Sequence, residues 1–289
     1  MVQWADTIVQ GVLLGGLYAL FATGLSLIFG VMRLVNIAHG DLIILASFIA
    51  IAVVEGLGLN PLLSLLVVVP AMAVFGYFLQ RGLLNFTLGA DILPPLLVTF
   101  GLSIIIQNLL LEIFTADSRK LQAGPIQTAS LQLGESMAVG VFPLVIFVTA
   151  VAVIGALQWL FYRTELGRAF RATSDNQDIA KLMGIDNRHI FGLAMAIALG
   201  VVAIAGVFLA IRTNVDPTIG PARLLYAFEA VIIGGLGSLW GTLAGGIILG
   251  VAQSIGAKID PGWQILAGHI AFLVILVFRP RGLFPRAVD

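Results

Sequence analysis

Few side chains in this 289-residue sequence could do chemistry, and those few stand out because long apolar stretches surround them. Asn36, His39 and Asp41 separate two apolar stretches, Gln107 lies inside a third, and Glu229 lies inside a glycine-rich fourth. If these stretches cross a membrane, each polar group is costly there and is expected to face a cavity or another polar group. The five residues are therefore candidates for lining or gating a pathway through the membrane.

A purely structural interpretation of the same residues remains open. Asp41 could cap the helix that begins after the turn, and Asn36 could accept hydrogen bonds from the turn amides. Glu229 could pair with Arg223, although a spacing of six residues makes that contact awkward on one helix. Gln107 could equally face a neighbouring helix.

The sequence predicts neither a metal site nor a catalytic site. It contains no cysteine, so disulfides, zinc-thiolate sites and thiol catalysis are excluded. His39 has no second histidine at ligand spacing. No GxxxxGK[ST], HExxH or GxSxG motif is present, so we expect no catalytic residues and no cofactor bound by this chain.

The composition is that of an integral membrane protein. Hydrophobic residues make up 60% of the chain, charged residues 10%, and the mean hydropathy is +1.07. Soluble domains carry about 25% charged residues, so a water-facing globule and a nucleic-acid-binding protein are both excluded. Stretches long enough to cross a bilayer are predicted at 8–30, 38–55, 61–80, 93–114, 140–161, 190–211 and 262–278.

Residues 223–257 form a further apolar stretch that is too long for one crossing and short for two. The cluster Gly234, Gly235 and Gly237 predicts a sharp break into a short or re-entrant helix and a longer one. We therefore expect an all-α polytopic membrane protein with about 8–9 transmembrane helices. The four-residue spacing of Gly237, Gly241 and Gly245 predicts close helix packing, either within this chain or against another subunit.

The distribution of basic residues predicts the orientation. Membrane proteins concentrate Lys and Arg on the cytoplasmic side. If 223–257 crosses twice, ten of the fifteen basic residues lie inside, leaving five outside: Arg119, Lys120, Arg212, Arg223 and Lys258. We expect the N-terminus outside, without a cleavable signal, and the C-terminus in the cytoplasm.

The sequence predicts a single transmembrane domain over 1–289, which a polar loop at about 163–189 divides into two sets of helices. This division is typical of a transporter built from two related halves. Direct support is limited to GGLYALFAT at 15–23 and GGLGSLWGT at 234–242, which share five of nine positions.

The polar loop concentrates charge in a chain that otherwise has little. Residues 166–183 predict one or two short helices with a weak apolar face, formed by Ala169, Ala172, Ile179, Ala180 and Met183. Gly184 predicts a helix stop, and Asp186 predicts the N-cap of the helix that re-enters the membrane. A soluble partner could bind a short amphipathic helix that lies beneath the membrane.

Four segments in order resemble a known family, the branched-chain amino acid type of ABC transporter permease, and specifically the shorter-tailed of its two paired membrane subunits. They are GGLYALFATGLSLIFGVMRLVNIAHGD at 15–41, GRAFRATSDNQDIAKLMGI at 167–185, FEAVIIGGLGSLWGTLAGGIILG at 228–250 and FRPRGLFPR at 278–286. The loop departs mildly from the family pattern, since Ser174-Asp175-Asn176 stands without a Glu-Ala-Ala triplet.

The resemblance implies a permease subunit of an ATP-driven importer in the bacterial inner membrane. A sister permease, two ATPase subunits that bind ATP and Mg²⁺, and a periplasmic or surface substrate-binding protein are its implied partners, together with membrane lipid. The implied cargo is a branched-chain or related amino acid, with urea, amides and aromatic carboxylates as other family substrates. The resemblance implies that the loop contacts the ATPase through Arg168, Arg171, Ala172, Asp175, Asp178, Ala180, Lys181 and Gly184.

Two other functions compete with this interpretation. A stand-alone secondary transporter or channel driven by an ion gradient should display several intramembrane acids, and only Asp41, Glu229 and Glu112 qualify. A membrane-embedded enzyme should display paired catalytic residues, which the sequence does not contain. Neither alternative accounts for the charged loop.

Overall fold

The computed structural model describes residues 2–89, 91, 93–132 and 138–284. The described helices are α1 Val2–Met32, α2 His39–Leu57, α3 Leu65–Gly82, α4 Leu93–Phe114, α5 Pro125–Thr128, α6 Val141–Arg163, α7 Glu165–Asp175, α8 Gln177–Leu182, α9 Asn187–Arg212, α10 Gly220–Gly234, α11 Leu239–Ile259 and α12 Gln264–Phe278. Two short strands, β1 Ser130–Gln132 and β2 Ala138–Gly140, form an antiparallel hairpin in the loop before α6.

Within the described residues, eight helical segments are long and apolar enough to cross a membrane, which confirms the all-α polytopic fold. The predicted break in 223–257 is also confirmed. The short α10 ends at Gly234, and the longer α11 begins at Leu239. Gly235 and Gly237 both adopt positive φ between them, a conformation that only glycine reaches without strain.

The helices divide into a buried centre and an exposed periphery. In the apolar membrane-spanning stretches of α1 and α9, 83% of the residues are buried inside the chain. In the stretch that contains α12, only 6% are buried. The two central helices are rich in Gly and Ala, which lets neighbouring backbones approach closely. The peripheral helices leave large apolar side chains exposed, as expected of a lipid-facing or subunit-facing surface.

Three glycines of α11 allow this helix to pack closely against α10 and α1 of the same chain. Gly241 and Gly245 lie against the backbone of α10, and a Cβ at Gly246 would approach Gly15 O of α1 to 2.6 Å. Gly241 and Gly245 therefore lie at a close helix contact within this chain. Gly237 lies in the turn before α11, where its Cα would be 3.4 Å from a Cβ at Gly30 of α1.

The short internal similarity does not correspond to a structural repeat. Residues 15–23 lie within the continuous helix α1, whereas residues 234–242 contain the break between α10 and α11. The backbone conformations of the two segments therefore differ, and the division of the chain into related halves stays a prediction.

The connection between α1 and α2 turns back into the helical bundle. Arg33 has a φ of 54° and ends α1, and residues 33–36 are non-helical. A Cβ at Gly24 would lie 3.0 Å from both Ala198 O and His39 Cε1. Because Ala198 is near the middle of α9, α2 begins beside the middle of a transmembrane helix and not at its end.

The chain after α12 packs against the end of α10. Leu283 N donates to Ile233 O (2.9 Å) and Phe284 N donates to Gly234 O (3.0 Å). These bonds satisfy carbonyl groups at a helix C-terminus that would otherwise lack partners. The last basic residue of the predicted cytoplasmic tail, Arg286, lies outside the described residues.

Candidate functional site

The charged loop folds into two short, individually capped helices. The Thr164 hydroxyl accepts from Gly167 N at the start of α7, and Asn176 Oδ1 accepts from Asp178 N and Ile179 N at the start of α8. Asp186 Oδ1 accepts from Arg188 N and so caps α9, as predicted. Each cap satisfies amides that have no partner within their own helix.

We refer to residues 165–184, which contain α7 and α8, as the coupling segment, after the role that the family resemblance implies for this loop. Three transmembrane helices hold it. Ser174 Oγ donates to Gly30 O of α1 (2.7 Å), and Arg171 donates to Phe161 O of α6. Asn187 Nδ2 of α9 donates to Gln177 O (2.7 Å). A displacement of this segment would therefore be transmitted to α1, α6 and α9.

The outer surface of the coupling segment combines charges with an apolar tip. The side chains of Leu182, Met183 and Ile179 are 86%, 77% and 59% exposed, and we call these three residues the apolar tip. Most of the predicted contact residues are exposed around them: Arg168, Ala172, Asp175, Asp178, Lys181 and Gly184.

The buried face of the coupling segment differs from the predicted one. Phe170 is completely buried and anchors α7, although the sequence pattern did not single it out. Of the predicted apolar face, Ala180 is buried, whereas Ile179 and Met183 point away from the bundle. Arg171 is half-buried because it reaches back to α6.

Asn36, His39 and Asp41 are buried at the beginning of α2. Asn36 Oδ1 accepts from Ala38 N (3.1 Å), as the structural interpretation predicted. His39 Nε2 lies 2.8 Å from Phe21 O, which can only accept, so this nitrogen donates. These bonds stabilise the chain where it re-enters the bundle.

Asp41 does not cap α2, so that expectation is wrong. Its carboxylate accepts from Ser103 Oγ (2.5 Å) and from Gln107 Nε2 (2.9 Å), and Gly220 at the start of α10 lies against it. The structure thus brings two predicted candidates, Asp41 and Gln107, together with Ser103, which the sequence analysis missed. Its only sequence signal is a spacing of four residues from Gln107, which places both on one face of α4.

Glu229 pairs with His269 of α12 and not with Arg223. The carboxylate is 2% exposed, and the imidazole Nδ1 reaches it across the α10–α12 contact. Arg223 instead lies over the Tyr226 ring, 5.9 Å from its centroid. Sequence analysis missed this partner because forty residues separate it from the glutamate.

A polar cluster made of Tyr18, Arg212, Arg223, Tyr226 and Gln253 lies beside this pair. Tyr18 Oη donates to Gln253 Oε1 (2.5 Å), and the rings of Tyr18 and Tyr226 are 5.1 Å apart. Both arginines interact electrostatically with Tyr18. Within the described part of the chain, Arg212 Nη1 and Arg223 Nε are buried without a hydrogen-bond partner, so the cluster has donors available for an acceptor.

The structure offers no metal centre among the residues it describes. No three His, Cys, Asp or Glu side chains come together there in a way that could hold a metal ion.

Comparisons with known proteins identify the family of the chain. The family model for the permease component of branched-chain amino acid transport systems matches residues 7–278. The chain is 33% identical to the high-affinity branched-chain amino acid transport system permease protein BraD of Pseudomonas aeruginosa, over 98% of this chain and 96% of BraD. It is 27% identical to the corresponding protein LivH of Escherichia coli, over 96% and 94%. It is 29% identical to the fructose import permease protein FrcC of Rhizobium meliloti, over 84% and 68%.

Proposed function

Because the chain belongs to the family of branched-chain amino acid transport permeases, and so is a multi-pass membrane permease of an ABC importer, we propose that it passes branched-chain amino acids into the cytoplasm. The cargo named for BraD and LivH, which match nearly the whole chain, supports this substrate. FrcC, which imports fructose, matches less of its own length. Family membership also supports an ABC importer over a transporter that works alone.

The observation that carries the proposal is the construction of the coupling segment. An exposed apolar tip on a capped, charged segment is suited to a groove on a soluble partner, since removing exposed apolar side chains from water is favourable in proportion to the area buried. Closure of two ATPases, which bind ATP and Mg²⁺ on their own chains, would push this segment. The bonds from Ser174 and Arg171 would carry the movement to α1 and α6.

We place the transport pathway beside the polar groups of the bundle. Asp41, Gln107 and Glu229 are the predicted residues that would line or gate it, with Asn36 and His39 supporting the turn from which α2 begins. The polar cluster supports this placement, because its arginines offer unpaired donors to the carboxylate of an amino acid. A sister permease would complete the pathway, and a binding protein would deliver the cargo from the outside.

The first experiment is purification of this chain in mild detergent, followed by an ATPase assay of the complex. We expect a second permease and ATPase subunits to be recovered, with hydrolysis stimulated by a binding protein loaded with leucine. A chain that purifies alone and catalyses uptake in liposomes without ATP would overturn the proposal.

A substitution in the apolar tip tests the coupling directly. We expect Leu182→Asp to lower the amount of ATPase subunit that co-purifies with this chain at least about tenfold. The introduced carboxylate would have to be buried at the contact. The matched control is Gln177→Asp, which adds the same charge to an exposed position of α8 without removing an apolar side chain. Equal ATPase recovery with both variants would contradict docking through the tip.

A further inference from the structure

A cavity of about 250 Å³ lies where the coupling segment meets the transmembrane helices. It is separate from the polar cluster and from the Asp41 contacts. Its walls come from the second half of α1, from the end of α6, from α7, and from the turn between α10 and α11 together with the start of α11. Because these elements belong to both the bundle and the coupling segment, a molecule in the cavity would touch both at once.

One part of the cavity wall is polar and carries a positive charge. Arg171, Gln158 and Ser26 line it. Arg171 uses one of its five N–H donors on Phe161 O and lies over the Tyr162 ring, 5.3 Å from its centroid. None of the lining residues is acidic, so this wall favours a carboxylate or another anionic group.

The Ser26 hydroxyl independently indicates a ligand. Ser26 is 1% exposed, and its Oγ has no hydrogen-bond partner among the residues that the structure describes. A buried hydroxyl without a partner is unfavourable, and nearly all such groups in folded proteins are satisfied by protein, water or ligand. A polar molecule in the cavity would satisfy it once the Ser26 side chain turns its hydroxyl toward the cavity.

Four large apolar side chains form much of the remaining wall, which also includes Ser238. Leu27, Phe161, Leu239 and Trp240 face the cavity. Its volume is below the range of about 300–1,000 Å³ that is typical of sites for drug-sized ligands, so the occupant must be small. The complementary molecule combines one anionic group with a short apolar part.

We propose that this cavity binds a small carboxylate with an apolar side chain, of the class that the importer delivers, from the side of the coupling segment. The bound molecule contacts α1, α6 and α7 together and stabilises their present arrangement. Any step of the transport cycle that separates these helices becomes less favourable as the cavity fills. Accumulated cargo would therefore slow its own import.

This inference rests on the proposed function, because it requires that the coupling segment face the cytoplasm and drive the cycle. The test uses the complete importer in nanodiscs with a saturating amount of loaded binding protein. Leucine is then titrated well above saturation while ATP hydrolysis is measured, and leucinamide, which lacks the carboxylate, serves as the negative probe.

We expect leucine to inhibit the stimulated hydrolysis and leucinamide to leave it unchanged. Ser26→Ala and the isosteric Gln158→Glu should each raise the half-inhibitory leucine concentration about tenfold or more, since each removes or repels a contact to the carboxylate. The control variant is Thr149→Val, which lies on α6 but lines a different groove. Leucine should inhibit ATP hydrolysis by this variant at the same concentration as in the wild type.

Each alternative result has a distinct meaning. The cavity proposal would be overturned, with the proposed function left intact, by either of two results. In the first, leucine fails to inhibit the stimulated hydrolysis; in the second, it inhibits Ser26→Ala, Gln158→Glu and Thr149→Val at the same concentration. Failure of the binding protein to stimulate wild-type hydrolysis would overturn the proposed function. If hydrolysis responds to phosphatidylglycerol in the nanodisc and the two cavity variants remove only that response, the site binds a lipid phosphate and the solute proposal is wrong.

Discussion

At the scale of single residues, the bundle retains a buried carboxylate because two neighbours on another helix hydrogen-bond to it. Asp41 lies within α2, while its donors Ser103 and Gln107 lie on α4. Charged groups at membrane depth are expensive unless they are paired or hydrated. The contact therefore links polar function to helix packing at a single point.

Removing one donor should measure this link. We expect Ser103→Ala to lower the free energy of unfolding by about 1 kcal/mol or more. The Asp41 carboxylate would remain buried but would lose the hydrogen bond that Ser103 donates to it. Thermal unfolding in detergent is the measurement. Asn108→Ala is the control, because Asn108 is an exposed position on the same helix whose side chain donates to Ile104 O of its own turn. An equal loss there would contradict the assignment.

The pair formed by Glu229 and His269 predicts non-additive mutational effects. Removing the imidazole would leave the buried Glu229 carboxylate without its partner, which is destabilising, whereas replacing both partners with apolar groups is often neutral. We expect His269→Leu to destabilise the protein more than the double variant Glu229→Leu with His269→Leu. Thermal unfolding of the two single variants and the double variant gives the comparison, and strictly additive losses would show that the pair does not interact.

At the scale of elements, glycine decides how closely the helices approach. At Gly246 a Cβ would meet the backbone of α1, whereas at Gly155 of α6 nothing lies within 4 Å. The same residue type thus serves packing at one position and leaves a helix unconstrained at the other.

Alanine substitution should separate these two cases. We expect Gly246→Ala to destabilise the protein by about 1–3 kcal/mol, because overpacking forces two backbones apart. Gly155→Ala should be neutral or stabilise by up to about 1 kcal/mol, since alanine favours the helix. Chemical unfolding of both variants in the same detergent is the measurement, and an equal effect in the two would contradict this account of the α1–α11 contact.

At the scale of the whole molecule, the proposed orientation can be tested directly because the chain contains no cysteine. Lys120→Cys and Lys181→Cys place a thiol on exposed positions of the two opposite loops. We expect an impermeant maleimide to label the first in intact cells and the second only after the membrane is opened. The reverse pattern would invert the orientation and move the coupling segment outside.

The sequence by itself determined the class of protein, the approximate positions of the long helices, the break after Gly234 and the N-cap of α9 at Asp186. These features follow from local signals: hydropathy over about 20 residues, glycine at positive φ and side chains that bond amides two or three positions away.

Only the tertiary structure decided which polar groups meet. The partners of Asp41 and Glu229, the exposure of the apolar tip and the depth at which α2 begins all depend on contacts between segments distant in the chain. The hydropathy of one helix shows that it is buried in the membrane but does not show which of its faces meets protein. Asp41 could therefore be read as a helix cap from sequence, until the packing of α4 supplied two donors to its carboxylate.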